Sequence, residues 1–246
     1  MTTAGPLIVD RRFLTLSGQI PENLPENAVL LIDKPKGWTS ADAVRKIKFG
    51  LQKRFRLKNV KVGHAGTLDP LATGVLVLCI GRATKSAQDL QAGRKEYLAG
   101  ITFGATTPTF DMEKEIDATY PYGHITVADI KSALRGMEGE QMQYPPVYSA
   151  KYVDGMRAYE MARAGQPVDL KASAITIYGT HFIDYAPPVL SVRIECSKGT
   201  YIRAFARDLG LALGSGAYLS ELRRTASGDF RAEDCLTMED AVGLLG

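Results

Sequence analysis

Short apolar runs of strand length, placed irregularly between stretches with helical periodicity, constrain the fold of this 246-residue chain more than any other feature. Ala28 to Ile32 and Val75 to Ile80 are continuous apolar runs, a pattern typical of strands buried on both faces. Ala41 to Lys53 instead repeats apolar residues every four positions, which predicts a helix. Because strands and helices follow one another without a regular βαβ alternation, we expect an α+β fold.

The same signals predict six further elements and no internal repeat. No linker-like segment divides the chain, so the sequence favours a single domain. The further elements are strands at Lys95 to Phe103, Ala174 to Tyr185 and Val189 to Cys196, and helices at Thr126 to Gly136, Arg157 to Ala164 and Tyr201 to Leu213.

Composition excludes several classes of protein. Hydrophobic residues make up 45% of the chain and charged residues 23%, which indicates a packed core rather than disorder. The three cysteines, Cys79, Cys196 and Cys235, form no CxxC pair, so neither a zinc site nor a disulfide framework is predicted. The N-terminus lacks the pattern of a signal peptide, and the longest apolar run, Gly74 to Ile80, is too short to span a bilayer. We therefore expect a soluble cytoplasmic protein.

Charge is unevenly distributed, although the net charge is only +3. One segment is rich in basic residues and contains no acidic residue. Such a run is either a solvated helix face or a surface that binds phosphates, and the sequence leaves both readings open. The residues of this basic run are Arg45, Lys46, Lys48, Lys53, Arg54, Arg56, Lys58 and Lys61.

The glycine-rich stretch from Gly63 to Gly74 contains Asp69, followed directly by Pro70, and leads into an apolar strand. Glycines permit tight turns and close approach to a ligand, and the proline biases Asp69 towards an extended backbone. A carboxylate on a loop that enters a core strand can be held rigidly in a cleft. The competing reading is a simple Asp-Pro turn with a capping side chain.

Two other residues have side chains that could cooperate with a carboxylate in catalysis. Arg203 is placed at the start of the predicted helix that follows a strand, where it can keep a carboxylate ionised or form an ordinary structural ion pair. Tyr97 lies inside a predicted strand, where its ring can stack on a base and its hydroxyl can transfer a proton, or where it can simply fill the core.

Nucleotide cofactors have no motif in the chain, since GxGxxG and GxxxxGK[ST] are both absent, and no GxSxG elbow occurs. His64, His124 and His181 are too scattered to predict a metal site. What remains is a carboxylate, a tyrosine and an arginine beside a basic run. These suit nucleophilic chemistry without a cofactor or metal, but the residue types alone do not name a reaction.

Five segments, in order, resemble the motifs of the TruB family of pseudouridine synthases, and the resemblance covers residues 28–231. The second, GHAGTLDPLATGVLVLCIGRATK, is similar to that family's catalytic motif almost throughout. A final stretch, Leu222 to Arg224 and then Gly228 to Phe230, resembles the end of the catalytic domain. The five segments are Leu30 to Ser40, Gly63 to Lys85, Lys95 to Tyr97 with Phe103 to Asp111, Tyr144 to Ala150, and Cys196 to Arg203.

This resemblance implies the pseudouridine synthase fold, an α+β fold with a central, mostly antiparallel sheet, flanking helices and an active-site cleft. It places a catalytic domain at 28–231, preceded at 1–27 by an extension or peripheral strand. Many members of the family carry a C-terminal RNA-binding PUA domain, whereas residues 232–246 leave room only for a short helix starting near Thr237.

The implied activity is isomerisation of uridine 55 in the TΨC loop of tRNA. By resemblance, Asp69 is the nucleophile, Tyr97 the active-site tyrosine and Arg203 the arginine that pairs with the aspartate. The target base must leave its stack. Its glycosidic bond is then cleaved and re-formed through C5 of uracil. Attack by the carboxylate at C1′, attack at C6, and elimination through a glycal all remain open.

The resemblance further implies substrate-binding roles. His64 fills the gap that the flipped uridine leaves, Tyr201 and Leu222 line the base pocket, and Lys34 contacts the RNA. The expected partner is the T-arm stem-loop of tRNA, bound by a monomer without metal, cofactor or membrane. Two alternatives are a related pseudouridine synthase acting on other RNA and a non-catalytic protein that binds or folds tRNA. Asp69, Tyr97 and Arg203 together argue against the second.

Overall fold

A computed structural model of the protein describes residues 5–17, 20–149, 151–153, 155–168 and 170–246; Ala150, which closes the fourth motif, lies outside them. The fold is α+β, as predicted: most paired strands are antiparallel, a minority are parallel, and helices flank them. The residues cluster into two compact units, 1–96 with 223–246 and 97–222. The division falls inside two strands rather than at a linker.

The elements are numbered along the chain. They are β1 (Leu7–Val9), α1 (Arg11–Ser17), β2 (Asn27–Lys34), α2 (Ser40–Arg54), β3 (Val62–His64), β4 (Thr73–Gly81), a 3-10 helix (Arg82–Ser86), α3 (Ala87–Ala92), β5 (Lys95–Phe103), β6 (Ala105–Thr106), β7 (Ala118–Thr119), α4 (Val127–Gly136), β8 (Gly139–Gln143), β9 (Tyr152–Val153), β10 (Met156–Arg157), α5 (Ala158–Arg163), β11 (Ser173–Ala186), β12 (Val189–Cys196), α6 (Ile202–Ala212), β13 (Ala217–Ser227), β14 (Phe230–Arg231), a 3-10 helix (Ala232–Asp234), β15 (Leu236–Thr237) and α7 (Met238–Leu245).

The first unit is built around β2 and β4, which pair antiparallel along their whole length. β1 and β15 pair parallel with β2, β3 pairs antiparallel with β4, and the end of β13 pairs parallel with the start of β4. One face of β2 and β4 belongs to a buried cluster with Ala65, Ala83 and Cys235, while α2 and α7 contribute apolar residues beside the other. Burial of both faces explains why the two strands are continuous apolar runs.

Helix α2 confirms the prediction made from its periodicity. Thr39 caps it in a reciprocal capping box with Asp42, and the stripe of Ala43, Ile47 and Leu51 is completely buried. Helix α7 packs against it at Gly50, where an added Cβ would lie 2.9 Å from the Cβ of Leu245. The capping box therefore stabilises the first turn of α2, and packing against α7 stabilises its last turns.

In the second unit, β11 pairs antiparallel with β12 and with β8, and β5 lies between β12 and β13. The strand pair predicted around Pro187 and Pro188 is confirmed, and the peptide between these prolines is cis. Helix α4, which begins with a capping box at Thr126, packs against β11 and α6. Among the described residues, no helix is long and apolar enough to cross a membrane.

Strand β13 was not predicted from its sequence. Apolar and polar side chains do not alternate along it, since its sequence AYLSELRRTAS contains consecutive polar residues, and Arg224 occupies a buried position where a hydrophobic residue is expected. Its only local partner among the described residues is the two-residue strand β14, and its pairing with β4 joins residues far apart in the chain. This strand nevertheless supplies Arg224, whose side chain bonds the loop that contains Asp69.

Candidate active site

Asp69 lies on the loop between β3 and β4, and glycines shape both ends of that loop. Gly66 and Gly74 have φ angles of +105° and +99°, a region that side chains rarely adopt. A Cβ on Gly74 would also lie 2.2 Å from the carbonyl oxygen of Arg224. The close approach of β13 to β4 therefore requires glycine at this position.

The backbone of the Asp69 loop is extensively hydrogen-bonded. Every carbonyl from residue 66 to residue 70 accepts a hydrogen bond, and most of the donors belong to other segments of the first unit. The donors are Arg224 Nη2 to Gly66 (3.1 Å), Arg224 Nη1 to Thr67 (3.4 Å), Ser40 Oγ to Leu68 (3.1 Å), the Ala72 amide to Asp69 (3.1 Å), and the Gly37 amide (2.8 Å) and Lys34 Nζ (3.3 Å) to Pro70.

Asp69 is a partly exposed residue, although its neighbour Leu68 is buried. It stands on a backbone that has few ways to move. The main chain does form the turn expected of an Asp-Pro pair, through the Ala72 amide. That turn accounts for only one of the hydrogen bonds to this loop, so a capping role alone does not explain the arrangement.

Lys34 has no exposed surface, and its ammonium donates to the carbonyls of Pro35 (2.9 Å), Trp38 (2.7 Å) and Pro70 (3.3 Å). Burial lowers the pKa of Lys34 to about 8, and the negative charge of Asp69 opposes that shift. The cation is therefore electrostatically coupled to the candidate nucleophile. Its burial does not suit the direct contact with RNA that the resemblance implies.

His64 ends β3, opposite Leu78 of β4, and is half-buried at the entrance to the Asp69 loop. Three of the predicted residues, Lys34, His64 and Asp69, therefore belong to one local structure in the first unit. The thiols of this unit do not compete as nucleophiles, because burial raises the pKa of Cys79 to about 11 and of Cys235 to about 12.

In the second unit, Arg203 lies in the first turn of α6 and is almost completely buried. Its Nη1 donates to the carbonyl of Thr109 (3.1 Å), its Nη2 to that of Tyr148 (2.9 Å), and its Nε lies 3.6 Å from Oδ2 of Asp111. The other carboxylate oxygen of Asp111 accepts the amide of Glu113 at 2.9 Å. The guanidinium is thus held in one orientation inside its own unit.

Tyr201 immediately precedes α6, and the amide of Gln143 bonds both of its main-chain groups. Gln143 Oε1 accepts from the Tyr201 amide (2.9 Å) and Nε2 donates to its carbonyl (3.1 Å). Tyr97 lies on β5 and is 7% exposed, while Leu222, on β13, is half-buried. Tyr201 and Arg203 therefore share one helix start.

Four residues that contact the predicted site residues or their loop were not predicted as site residues from the sequence. They are Ser40, Asp111, Gln143 and Arg224. A signal for Arg224 exists only once β13 is known to be a strand, because consecutive side chains of a strand point to opposite faces and two adjacent arginines then differ in their surroundings. Arg223, the other one, forms a bidentate pair with Asp33 (3.0 and 2.7 Å).

The basic run lies on α2 and the segment that follows it. Arg45, Lys46, Lys53, Arg54 and Arg56 are all exposed. A solvated face and a phosphate-binding surface both require this exposure. Within the described part of the chain, no group of three or more His, Cys, Asp or Glu side chains is placed to hold a metal ion.

Comparison with known proteins decides the family. A family model described as TruB family pseudouridylate synthase (N terminal domain) matches residues 53–202. The chain belongs to the TruB family. A second model, tRNA pseudouridylate synthase B C-terminal domain, matches residues 203–244. Both the predicted family and the predicted enzyme class, pseudouridine synthase, are thereby confirmed.

Curated TruB relatives match most of the chain. The tRNA pseudouridine synthase B of Phocaeicola vulgatus is 52% identical over 217 residues, which is 88% of this chain and 92% of the relative. The protein of the same name from Flavobacterium johnsoniae is 46% identical over 88% of this chain and 95% of its own length. That from Chlorobium luteolum is 48% identical over 86% of this chain and 73% of its own length.

Solved structures confirm the pseudouridine synthase fold for this TruB-family chain. A chain of the "Crystal Structure of a Cbf5-Nop10-Gar1 Complex" is 31% identical with a TM-score of 0.69, over 91% of this chain and 56% of that one. A chain of the "Structure of H/ACA RNP bound to a substrate RNA containing 2'-deoxyuridine" is 30% identical with a TM-score of 0.64, over 87% and 52%. This chain thus spans little more than half the length of either.

Proposed function

We propose that this TruB-family enzyme converts uridine 55 in the TΨC loop of tRNA into pseudouridine, acting in the cytoplasm as a monomer without a cofactor. The relatives that match most of their own length with this chain are named tRNA pseudouridine synthase B. The observation that carries the proposal is the partly exposed Asp69 on a loop in which every carbonyl from residue 66 to residue 70 accepts a hydrogen bond. Preorganisation of this kind favours a catalytic group that must meet one atom of a flipped nucleotide.

Asp69 acts as the nucleophile, and Tyr97 and Arg203 take the catalytic roles that the family resemblance implies. The three routes through C1′, C6 and a glycal all need an ionised carboxylate in a defined position. The buried contacts of Arg203 with Asp111, Thr109 and Tyr148 favour a permanently charged group in a single orientation. Tyr97 offers a ring for stacking and a hydroxyl for proton transfer.

His64 fills the space vacated by the flipped base, and Tyr201 and Leu222 line the base pocket, again by resemblance. Lys34 takes a different role from the predicted one. Lys34 is buried, donates to the Pro70 carbonyl and interacts electrostatically with Asp69. It therefore stabilises the negative charge of the nucleophile and helps to fix the position of its loop.

The direct test is to incubate the protein with an unmodified tRNA transcript and to map pseudouridine by chemical labelling. We expect modification at position 55 only. Modification elsewhere would indicate a related pseudouridine synthase with another target. Tight binding without any modification would indicate a non-catalytic tRNA-binding protein, and either result would contradict the proposal.

In this proposal the basic run supplies phosphate contacts. Helix α2 contacts the Asp69 loop through its first residue, Ser40, and carries exposed cations further along, so an RNA bound at Asp69 can also contact those cations. We expect the combined replacement of Lys53, Arg54 and Arg56 by alanine to weaken tRNA binding. The slope of log affinity against log salt should flatten by about one for each lost contact. Affinity is measured across a salt series.

A matched control removes three exposed cations of the second unit, Lys114, Lys131 and Arg135, and changes the net charge equally. This variant is expected to keep most of the salt dependence. If both triple variants lower the slope to the same extent, the basic run contributes only through net charge and is a solvated face.

Recognition of the T-arm is expected to suffice for catalysis, since sequence-specific RNA recognition favours loops whose bases can be splayed out. An isolated T-arm stem-loop should react at a rate comparable with that of whole tRNA. His64→Ala should slow conversion of both substrates far less than loss of Asp69 does, because His64 shifts the equilibrium of base flipping without taking part in the chemistry.

Single-turnover rates on the stem-loop and on whole tRNA, for wild type and His64→Ala, measure both effects. Reaction of whole tRNA alone would show that recognition extends beyond the T-arm. A His64→Ala variant as inactive as an Asp69 variant would show that the role of His64 is chemical.

A further inference from the structure

Ser40 contacts the Asp69 loop through its side chain. Its hydroxyl accepts a hydrogen bond from the amide of Leu68 (2.9 Å) and donates one to the carbonyl of the same residue (3.1 Å). A single side chain thereby satisfies both main-chain groups of the residue that directly precedes Asp69. Ser40 and Leu68 are 2% and 3% exposed, so water does not readily replace this pair of bonds.

The support behind Ser40 is rigid. It is the first residue of α2, next to the Thr39 cap, whose hydroxyl accepts from the Asp42 amide (3.0 Å) while Asp42 Oδ2 accepts from the Thr39 amide (2.9 Å). Its hydroxyl is not the capping group of the helix, because Thr39 has that role. The Ser40 side chain is therefore free to bond the loop.

The Ala72 amide bonds the carbonyl of Asp69 itself from within the loop (3.1 Å), whereas the contacts from outside the loop other than that of Ser40 lie at Gly66, Thr67 and Pro70. Arg224 bonds Gly66, Thr67 and, beyond the loop, Val75, while Lys34 and the Gly37 amide bond Pro70. Only Ser40 bonds the peptide groups of the residue immediately before Asp69 through a side chain, among the contacts described for this loop. Loss of that contact frees rotation about the bonds that aim the carboxylate.

We propose that Ser40 is a positioning residue for the reaction: its hydroxyl fixes the Leu68 peptide groups and thereby the direction of the Asp69 carboxylate. This inference rests on the proposed role of Asp69 as nucleophile. A displacement of about 1 Å in a reacting group can lower a rate by about a hundredfold without weakening the binding of the substrate.

The test compares Ser40→Ala with Thr39→Ala. Both remove a hydroxyl at the start of α2, but only Ser40 bonds the loop. We expect Ser40→Ala to lower the single-turnover rate on saturating unmodified tRNA by about 10- to 100-fold, with the Kd for tRNA unchanged within about threefold. Thr39→Ala should lower the Tm by about 2–4 °C through loss of the cap, with a rate close to wild type.

Amide hydrogen exchange gives a second reading that does not depend on activity. In Ser40→Ala, exchange should accelerate selectively at residues 65–73, while the core strands β2 and β4 keep their protection. A Ser40→Ala variant with the wild-type rate and unchanged loop exchange would overturn the inference. So would a Thr39→Ala variant that loses as much rate as Ser40→Ala, since the effect would then follow helix stability.

Failure of the two proposals is distinguishable. If wild type forms no pseudouridine, the proposed function is wrong, whereas loop exchange in Ser40→Ala still reports on the Ser40 contact. If wild type is active and Ser40→Ala is equally active, only the positioning role is wrong.

Discussion

Replacement of Asp69 by asparagine is expected to lower the rate of pseudouridine formation by about a thousandfold or more, while tRNA binding stays close to wild type. Asparagine has nearly the size of aspartate but lacks the charge that attacks the sugar or base, or that stabilises the sugar during elimination. The loop carbonyls remain engaged, because none of their hydrogen bonds uses the carboxylate. The fold should therefore survive the change.

The measurement is a single-turnover rate together with a tRNA affinity for each purified variant. Asp89→Asn is the matched control, since Asp89 is an exposed residue of α3 and the charge change is identical. We expect the control to retain the wild-type rate. Sustained multiple turnover by Asp69→Asn would remove Asp69 from the role of essential nucleophile.

Replacement of Arg224 by alanine is expected to have the largest effect on stability, lowering the free energy of unfolding by about 3 kcal/mol or more. Arg224 is 1% exposed, and its guanidinium donates to the carbonyls of Val75 at 2.7 Å, Gly66 at 3.1 Å and Thr67 at 3.4 Å. Its loss leaves buried carbonyls without donors and a cavity between β13 and the Asp69 loop. Urea denaturation measures the change.

Arg223→Ala is the matched control, because Arg223 is adjacent on the same strand but its ion pair with Asp33 is partly exposed. Pairs of that kind contribute about 0–1 kcal/mol. We expect Arg224→Ala to lower the free energy of unfolding severalfold more than Arg223→Ala. Equal losses would mean that burial of the Arg224 guanidinium contributes no more than a surface pair.

The two arginines show where sequence reasoning stops. Their neighbourhood resembles the end of the TruB catalytic domain, and strand alternation places them on opposite faces. Which of the two points inwards depends on the parallel pairing of β13 with β4, and that pairing joins residues about 150 positions apart. No local pattern encodes such a partner.

Lys34 also shows that sequence patterns do not determine burial, although Lys34 was itself a predicted site residue. Its place in the N-terminal motif led to a prediction of RNA contact. Its burial and its three carbonyl acceptors point instead to a role beneath the Asp69 loop. A charged residue in a polar motif is ordinarily expected at the surface, and only the packing of β2 against its neighbours reverses that expectation.

The sequence by itself determined the α+β class, helix α2, the strand pair around Pro187, and the family to which the chain belongs. These follow from periodicity and ordered motifs, which are local properties of the chain. The tertiary structure alone decided that Arg224, Ser40 and Lys34 hold the Asp69 loop, and that Asp111 and Gln143 support Arg203 and Tyr201. Burial and hydrogen-bond partners depend on segments that are far apart in the chain, and they exist only once those segments have packed together.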